Sequence, residues 1–133
     1  MEETLHILLI EDDQDDIDLF RYALKAKCVH CKLAVIMQGD EVAPYLAAAT
    51  EQPDVIVMDL NLPMVHGREV LKLIKQAEGY RDTPVVILTT SSAREDREYC
   101  LALGADDFIT KPTSVDAFNA TITTVEKLAL ANK

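Results

Sequence analysis

Acidic, hydroxyl and basic side chains recur in this chain directly after short apolar runs, and their types complement one another. Glu11-Asp12-Asp13 follows the run Leu5–Ile10, Asp59 and Asn61 follow Val55–Met58, Thr89-Thr90 follow residues 85–88, and Lys111-Pro112 follow Asp107–Thr110. Loops are polar as a rule, so one or two such residues would carry little meaning. Three complementary classes of group in equivalent places are a stronger signal. If Glu11, Asp12 and Asp59 converge, their like charges repel unless a cation neutralises them. A shallow pocket of carboxylate oxygens suits Mg2+, which keeps several waters and takes one or two carboxylates plus a phosphate, better than Ca2+. No His or Cys stands at these places to favour zinc. An aspartate beside such a cation can act as a nucleophile towards phosphorus and form an aspartyl phosphate. Lys111 and Thr89 then offer an ammonium and a hydroxyl to the charge on the phosphoryl oxygens.

The elements that must position these groups are legible from hydrophobic period. The apolar runs, with a fifth at residues 33–37, have strand length and alternate with segments of helical period. Ile17, Phe20 and Leu24 share one face of a predicted helix over residues 15–27. Gly39-Asp40 supplies a turn and N-cap for a second helix running through Ala49, and Pro53 ends that stretch. A third covers residues 67–78, with Gly79 as its C′ residue. A fourth opens on the capping-box pattern Ser92-Ala93-Arg94-Glu95 and closes at Gly104. The last begins near Ser114 and places Val115, Phe118, Ile122, Val125 and Ala129 on one stripe. Five strands alternating with five helices make a doubly wound α/β parallel sheet, whose ligands bind at the carboxyl ends of the strands.

Composition narrows the functional classes. The 133 residues fit one domain over 1–133 without room for an output domain, and 49% of them are apolar, enough for one core. With 13 basic against 23 acidic residues the net charge is −10, which argues against direct DNA binding and against anionic membrane surfaces. The acidic start Met1-Glu2-Glu3-Thr4 is no signal peptide, and no apolar run approaches the roughly 20 residues of a membrane span, so a cytoplasmic protein is expected. Cys28, Cys31 and Cys100 are too few for a disulfide scaffold. Cys28-Val29-His30-Cys31 lacks the second pair of ligands that zinc requires and reads as a loop with two ordinary thiols. His6 and His30 read as ordinary strand or surface residues. Asp13, Asp15 and Asp16 read as capping and dipole-complementing acids of the first helix.

Taken in order and at their spacing, the motifs Ile7-Leu8-Leu9-Ile10-Glu11-Asp12-Asp13, Val57-Met58-Asp59-Leu60-Asn61-Leu62-Pro63, Leu88-Thr89-Thr90 and Thr110-Lys111-Pro112 resemble the receiver domains of two-component response regulators, including the free-standing chemotaxis type. The resemblance covers essentially the whole chain. It implies a flavodoxin-like sheet of strand order 2-1-3-4-5, with Asp59 as phosphoacceptor and Asp12 and Asp59 as direct Mg2+ ligands. Glu11 would then act mainly through metal-bound water, and Asn61 would complete the metal site through its backbone carbonyl. Thr89 and Phe108 would form the switch, and the Lys111-Pro112 peptide would be cis. The implied donor is a sensor histidine kinase, with an unidentified downstream protein as output; by family analogy a homodimer could form through the fourth helix, fifth strand and fifth helix, and the sequence does not decide between monomer and dimer. Asp59-Leu60-Asn61-Leu62-Pro63 followed by Gly67-Arg68-Glu69-Val70-Leu71 looks most like the subgroup serving phytochrome-type kinases. His66, where the family often has Asp or Asn, and Phe108, where a tyrosine would carry a hydroxyl, depart from the pattern.

The implied protein is a signalling switch that performs its own phosphotransfer and slow self-dephosphorylation, and is not otherwise an enzyme. An aspartate-nucleophile phosphatase would want a second carboxylate where Asn61 stands. A flavin carrier would want a phosphate-binding loop where Glu11-Asp12-Asp13 would repel one. A receiver that binds partners without phosphorylation would be expected to lack one of these groups.

Overall fold

Successive residues of the strand Leu5–Ile10 point to opposite faces of a sheet, and both faces are buried. In the computed structural model, which describes residues 4–132, Leu8 and Ile10 join one core while Leu5, Ile7 and Leu9 join another. A strand covered on both sides is what a continuous apolar run encodes. The acidic start Met1-Glu2-Glu3 lies outside the described residues.

Among the described residues the elements run β1 (Leu5–Ile10), α1 (Gln14–Ala26), β2 (Cys31–Ile36), a 3-10 turn (Gly39–Glu41), α2 (Val42–Ala48), β3 (Val55–Met58), α3 (Gly67–Gln76), β4 (Val85–Thr89), α4 (Arg94–Ala102), β5 (Asp107–Thr110) and α5 (Val115–Asn132). The sheet is parallel with order β2-β1-β3-β4-β5, as the resemblance implies. α1 and α5 cover one face, where Phe20 and Phe118 meet edge to face with ring centroids 6.2 Å apart. Val42, Leu46, Val70, Leu71, Ile74 and Cys100 from α2, α3 and α4 cover the other.

The helix ends correct several expectations. α4 has Ala93 at its N-cap with no side-chain cap, and it is Ser91 that reaches the segment, its Oγ accepting from the Ala93 N–H at 3.3 Å. The adjacent serine has the better reach, so the capping-box reading of Ser92 falls. Asp40 sits inside the 3-10 turn and caps nothing through its side chain, since α2 starts at Val42. α3 ends at Gln76, and Gly79 serves a later turn at φ 85°. The α4 terminus is as expected: Gly104 takes φ 108°, and the N–H groups of Gly104 and Ala105 return to the carbonyls of Leu101 and Cys100. Val115 is largely exposed at the first residue of α5, while Phe118, Ile122, Val125 and Ala129 are buried. No described helix is long and apolar enough to cross a membrane.

Candidate functional site

The sheet presents its acids by extending the hydrogen-bond ladder one residue past the strands. The Glu11 N–H donates to Ile36 O at 2.9 Å, the Asp59 N–H to Ile10 O at 3.0 Å, and the Lys111 N–H to Thr89 O at 2.7 Å. The ends of β1, β3 and β5 therefore deliver Glu11, Asp59 and Lys111 to one end of the sheet. β1 lies between β2 and β3, and the chain reverses its direction of winding there, the place where open α/β sheets bind ligands.

Glu11, Asp12 and Asp59 each offer a carboxylate oxygen within 4.8 Å of the others. Glu11 and Asp59 are buried and Asp12 is exposed, so the cluster has a closed floor and an open rim. Lys111 lies across it: its Nζ is 2.7 Å from Glu11 Oε1, 2.8 Å from Asp59 Oδ2 and 2.6 Å from Asp16 Oδ2. Glu11 Oε2 accepts from the N–H groups of Asp12 and Asp13 at 3.1 and 3.2 Å, and Asp59 Oδ1 accepts from the Asn61 N–H at 3.1 Å.

Burial dominates Glu11 and pushes its carboxyl up to about 7, against the pull of Lys111 and the Asp13 N–H. Burial also opposes ionisation of Asp59. There the hydrogen bonds from Lys111, Thr89 and the Asn61 N–H win, and its carboxyl falls below the ordinary aspartate value. The two acids are thus separated by environment, with Asp59 the more readily ionised of the pair. For Lys111, burial works against the charge, and the hydrogen bonds it donates to Asp16, Asp59 and Glu11 overcome it, holding the ammonium protonated.

Thr89 ends β4 fully buried, its Oγ1 accepting from the Ser91 N–H at 3.3 Å. Phe108 is not brought into the acid cluster. Its side chain packs in the core beneath α4, and its carbonyl accepts from Arg97 Nη1 at 3.1 Å. The Asn61 side chain turns to Thr90, with Nδ2 3.3 Å from Oγ1. Contrary to expectation the Lys111-Pro112 peptide is trans, the intrinsically favoured isomer.

Asp16 is the residue that sequence reasoning missed. It contributes the shortest of the three Lys111 contacts, across 95 positions of sequence. Asp13 caps α1 as expected, its Oδ1 accepting from the Asp15 and Asp16 N–H groups at 2.9 and 3.4 Å. Cys28 is exposed at φ 55° and Cys31 opens β2 half-buried, with no metal-ligand group formed around them among the described residues. His6 pairs with Glu51 at 3.0 Å, away from the cluster. A cleft of about 990 Å³ between α2 and α3 shares no residue with the cluster.

A family model described as the response regulator receiver domain matches residues 7–123. The alkaline phosphatase synthesis transcriptional regulatory protein PhoP of Bacillus subtilis is 34% identical over 116 residues, 87% of this chain but 46% of PhoP, so the chain spans about half of that relative. Response regulator Rcp1 of Synechocystis is 36% identical over 110 residues, covering 79% of this chain and 75% of Rcp1. A crystal structure of the Mn(2+)-bound form of Rcp1 superposes with a TM-score of 0.82 at 30% identity over 92% of each chain. The phosphorylated cyanobacterial phytochrome response regulator RcpA superposes with a TM-score of 0.87 at 32% identity, covering 98% of this chain and 97% of RcpA.

Proposed function

The chain belongs to the response regulator receiver domain family, a family of phosphoryl-accepting signalling switches, and on that premise we propose that Asp59 takes one phosphoryl group per cycle from a sensor kinase. The observation that carries the reading is the shared oxygen of Asp59. Its Oδ2 lies 2.8 Å from an ammonium that a phosphoryl oxygen could next engage, while its carboxyl stays ionised in spite of burial.

In the proposed step a carboxylate oxygen of Asp59 attacks the phosphorus of a phosphohistidine on the kinase. The O–P bond forms as the N–P bond breaks, and the electron pair returns to the imidazole, which takes up a proton. Lys111 neutralises charge on the phosphoryl oxygens, and Thr89 supplies a hydroxyl from the next strand end. Three carboxylates, Glu11, Asp16 and Asp59, contact this single ammonium and Asp12 stands beside Glu11 and Asp59, an excess of negative charge that fits a hard divalent cation. Mg2+ would be held by Asp12 and Asp59, by Glu11 mainly through water, and by the Asn61 carbonyl; when bound it supplies charge that offsets the incoming phosphoryl group. The Mn(2+)-bound form of Rcp1 supports divalent-cation binding.

Output would follow from Thr89 turning towards the phosphoryl group and Phe108 filling the space it leaves, altering the surface of α4, β5 and α5 for an unidentified partner or a second copy. The likeness to RcpA and Rcp1 supports a phytochrome-type kinase as donor. We further read the chain as a single receiver domain that acts in the cytoplasm. Its net charge of −10 supports an output made through protein contacts and not through DNA.

Incubation with Mg2+ and phosphoramidate, followed by intact mass, tests the reading. The parent gains one phosphoryl group and Asp59→Asn gains none. Equal labelling of both overturns the assignment of Asp59, and continuous phosphate release over many turnovers would identify a phosphatase instead.

A further inference from the structure

The first turn of α1 contributes a side chain that belongs to no strand end. Asp16 Oδ2 is 2.6 Å from Lys111 Nζ, nearer than either Glu11 or Asp59. An ammonium has three N–H donors, and here three carboxylates receive them. Lys111 is almost fully enclosed, with a side chain 12% exposed, whereas Asp16 stands at the rim at 35%. Of the three partners, Glu11 and Asp59 carry further duties toward cation and phosphoryl group. Asp16 carries none.

Resting on the reading of Asp59 as phosphoacceptor, we propose that Asp16 is a positioning residue for the transfer, anchoring Lys111 so that its other N–H groups face Asp59 throughout the reaction. As a phosphoryl group arrives, the ammonium must exchange a carboxylate oxygen for a phosphoryl oxygen. A flexible four-carbon side chain would otherwise be free to swing in a pocket whose charges are being redistributed. The ion pair to α1 removes that freedom beforehand, the kind of preorganisation on which transfers of this class depend.

The test compares Asp16→Ala, Asp16→Asn and, as a control in the same helical turn, Asp15→Ala. Labelling of Asp59 is followed at saturating phosphoramidate over a Mg2+ titration, and the Lys111 ammonium is followed by its 15N resonance. Asp16→Ala is expected to slow labelling about tenfold, below the roughly 100-fold scale of a 1 Å misplacement. Half-saturating Mg2+ should stay within about twofold, since Asp16 is no cation ligand here, and the ammonium resonance should broaden. Asp16→Asn keeps an acceptor oxygen and should restore most of the rate. Asp15→Ala should label as the parent does, although both acids sit at the same helix end. Parent-like labelling in Asp16→Ala, an equal loss in Asp15→Ala, or a Mg2+ requirement that rises in step with the rate loss each overturns the proposal. A parent that takes up no phosphate, or an Asp59→Asn variant that is labelled, overturns the underlying reading instead, and the proposal with it.

Discussion

Arg68 grips a single carboxylate oxygen of Asp96 with two nitrogens, Nε at 2.9 Å and Nη2 at 2.6 Å, and so fastens the first turn of α3 to the first turn of α4. The other oxygen of Asp96 accepts from Ser91 Oγ at 2.7 Å, and the guanidinium lies 4.5 Å from the centre of the Tyr99 ring. The clasp therefore restrains the segment between Thr89 and α4. Asp96→Ala should leave the thermal midpoint nearly unchanged, because the pair is partly solvated, while amide exchange at Ser91 and Ala93 speeds up. Unchanged exchange at those amides would show that the segment is held by something else.

Gly67 opens α3 against the backbone of the site. A Cβ there would lie 2.4 Å from Leu60 Cα and 2.8 Å from the carbonyl oxygen of Asp59. Backbone cannot yield as a side-chain tip can, so Gly67→Ala should lose roughly 1–3 kcal/mol, the scale of overpacking, and slow the labelling of Asp59. Urea unfolding at parent-like midpoint would contradict the crowding.

Removing the ammonium leaves buried carboxylates without a counter-charge. Lys111→Ala should be destabilised by about 3–5 kcal/mol in chelator, the scale of breaking a buried pair. Millimolar Mg2+ should recover much of the loss, and bind the variant more tightly than the parent. Calorimetric melting with and without Mg2+ checks both halves; a variant as stable as the parent in chelator would mean that the three carboxylates do not depend on Lys111.

Glu11 gives the pH dependence its sign. Its folded value, raised by burial to about 7 from 4.5, means that the folded chain binds the proton more strongly than the unfolded one. Its contribution to stability is therefore greatest below about 4.5, declines as pH rises toward 7, and is constant above. Asp59, shifted downward, works oppositely: its contribution is present above its unfolded value of 3.8 and is lost as pH falls through the folded one. Glu11→Gln should flatten the decline between pH 5 and 7 seen in metal-free urea titrations of the parent. An identical slope in both proteins would place the responsible proton elsewhere.

The sheet was legible because its central strands β1, β3 and β4 are apolar runs buried on both faces, whereas its order came from the family resemblance. The convergence of Glu11, Asp12, Asp59 and Lys111 was legible because Glu11, Asp59 and Lys111 immediately follow strands, Asp12 comes one residue later, and parallel strands end together. Asp16 was not legible. A first-turn acid that salt-bridges across the fold has the same sequence signature as one that only complements a helix dipole, and 95 residues separate it from its partner. The choice between Ser91 and Ser92 failed on a smaller scale, since neighbouring hydroxyls differ only in the direction the backbone gives them. The trans Lys111-Pro112 bond shows a different limit, because the cis expectation came from family likeness and not from these residues.

The ladder bonds that continue past β1, β3 and β5 fix more than position. Glu11, Asp59 and Lys111 hang from amides already committed to the neighbouring strand, so none can answer a new charge by shifting its own main chain without breaking a sheet bond. Any message must leave through parts not so committed, the side chains and the Ser91–Ala93 stretch. The framework is thus a fixed anvil on which the signal is struck, and only its outer fittings are free to ring.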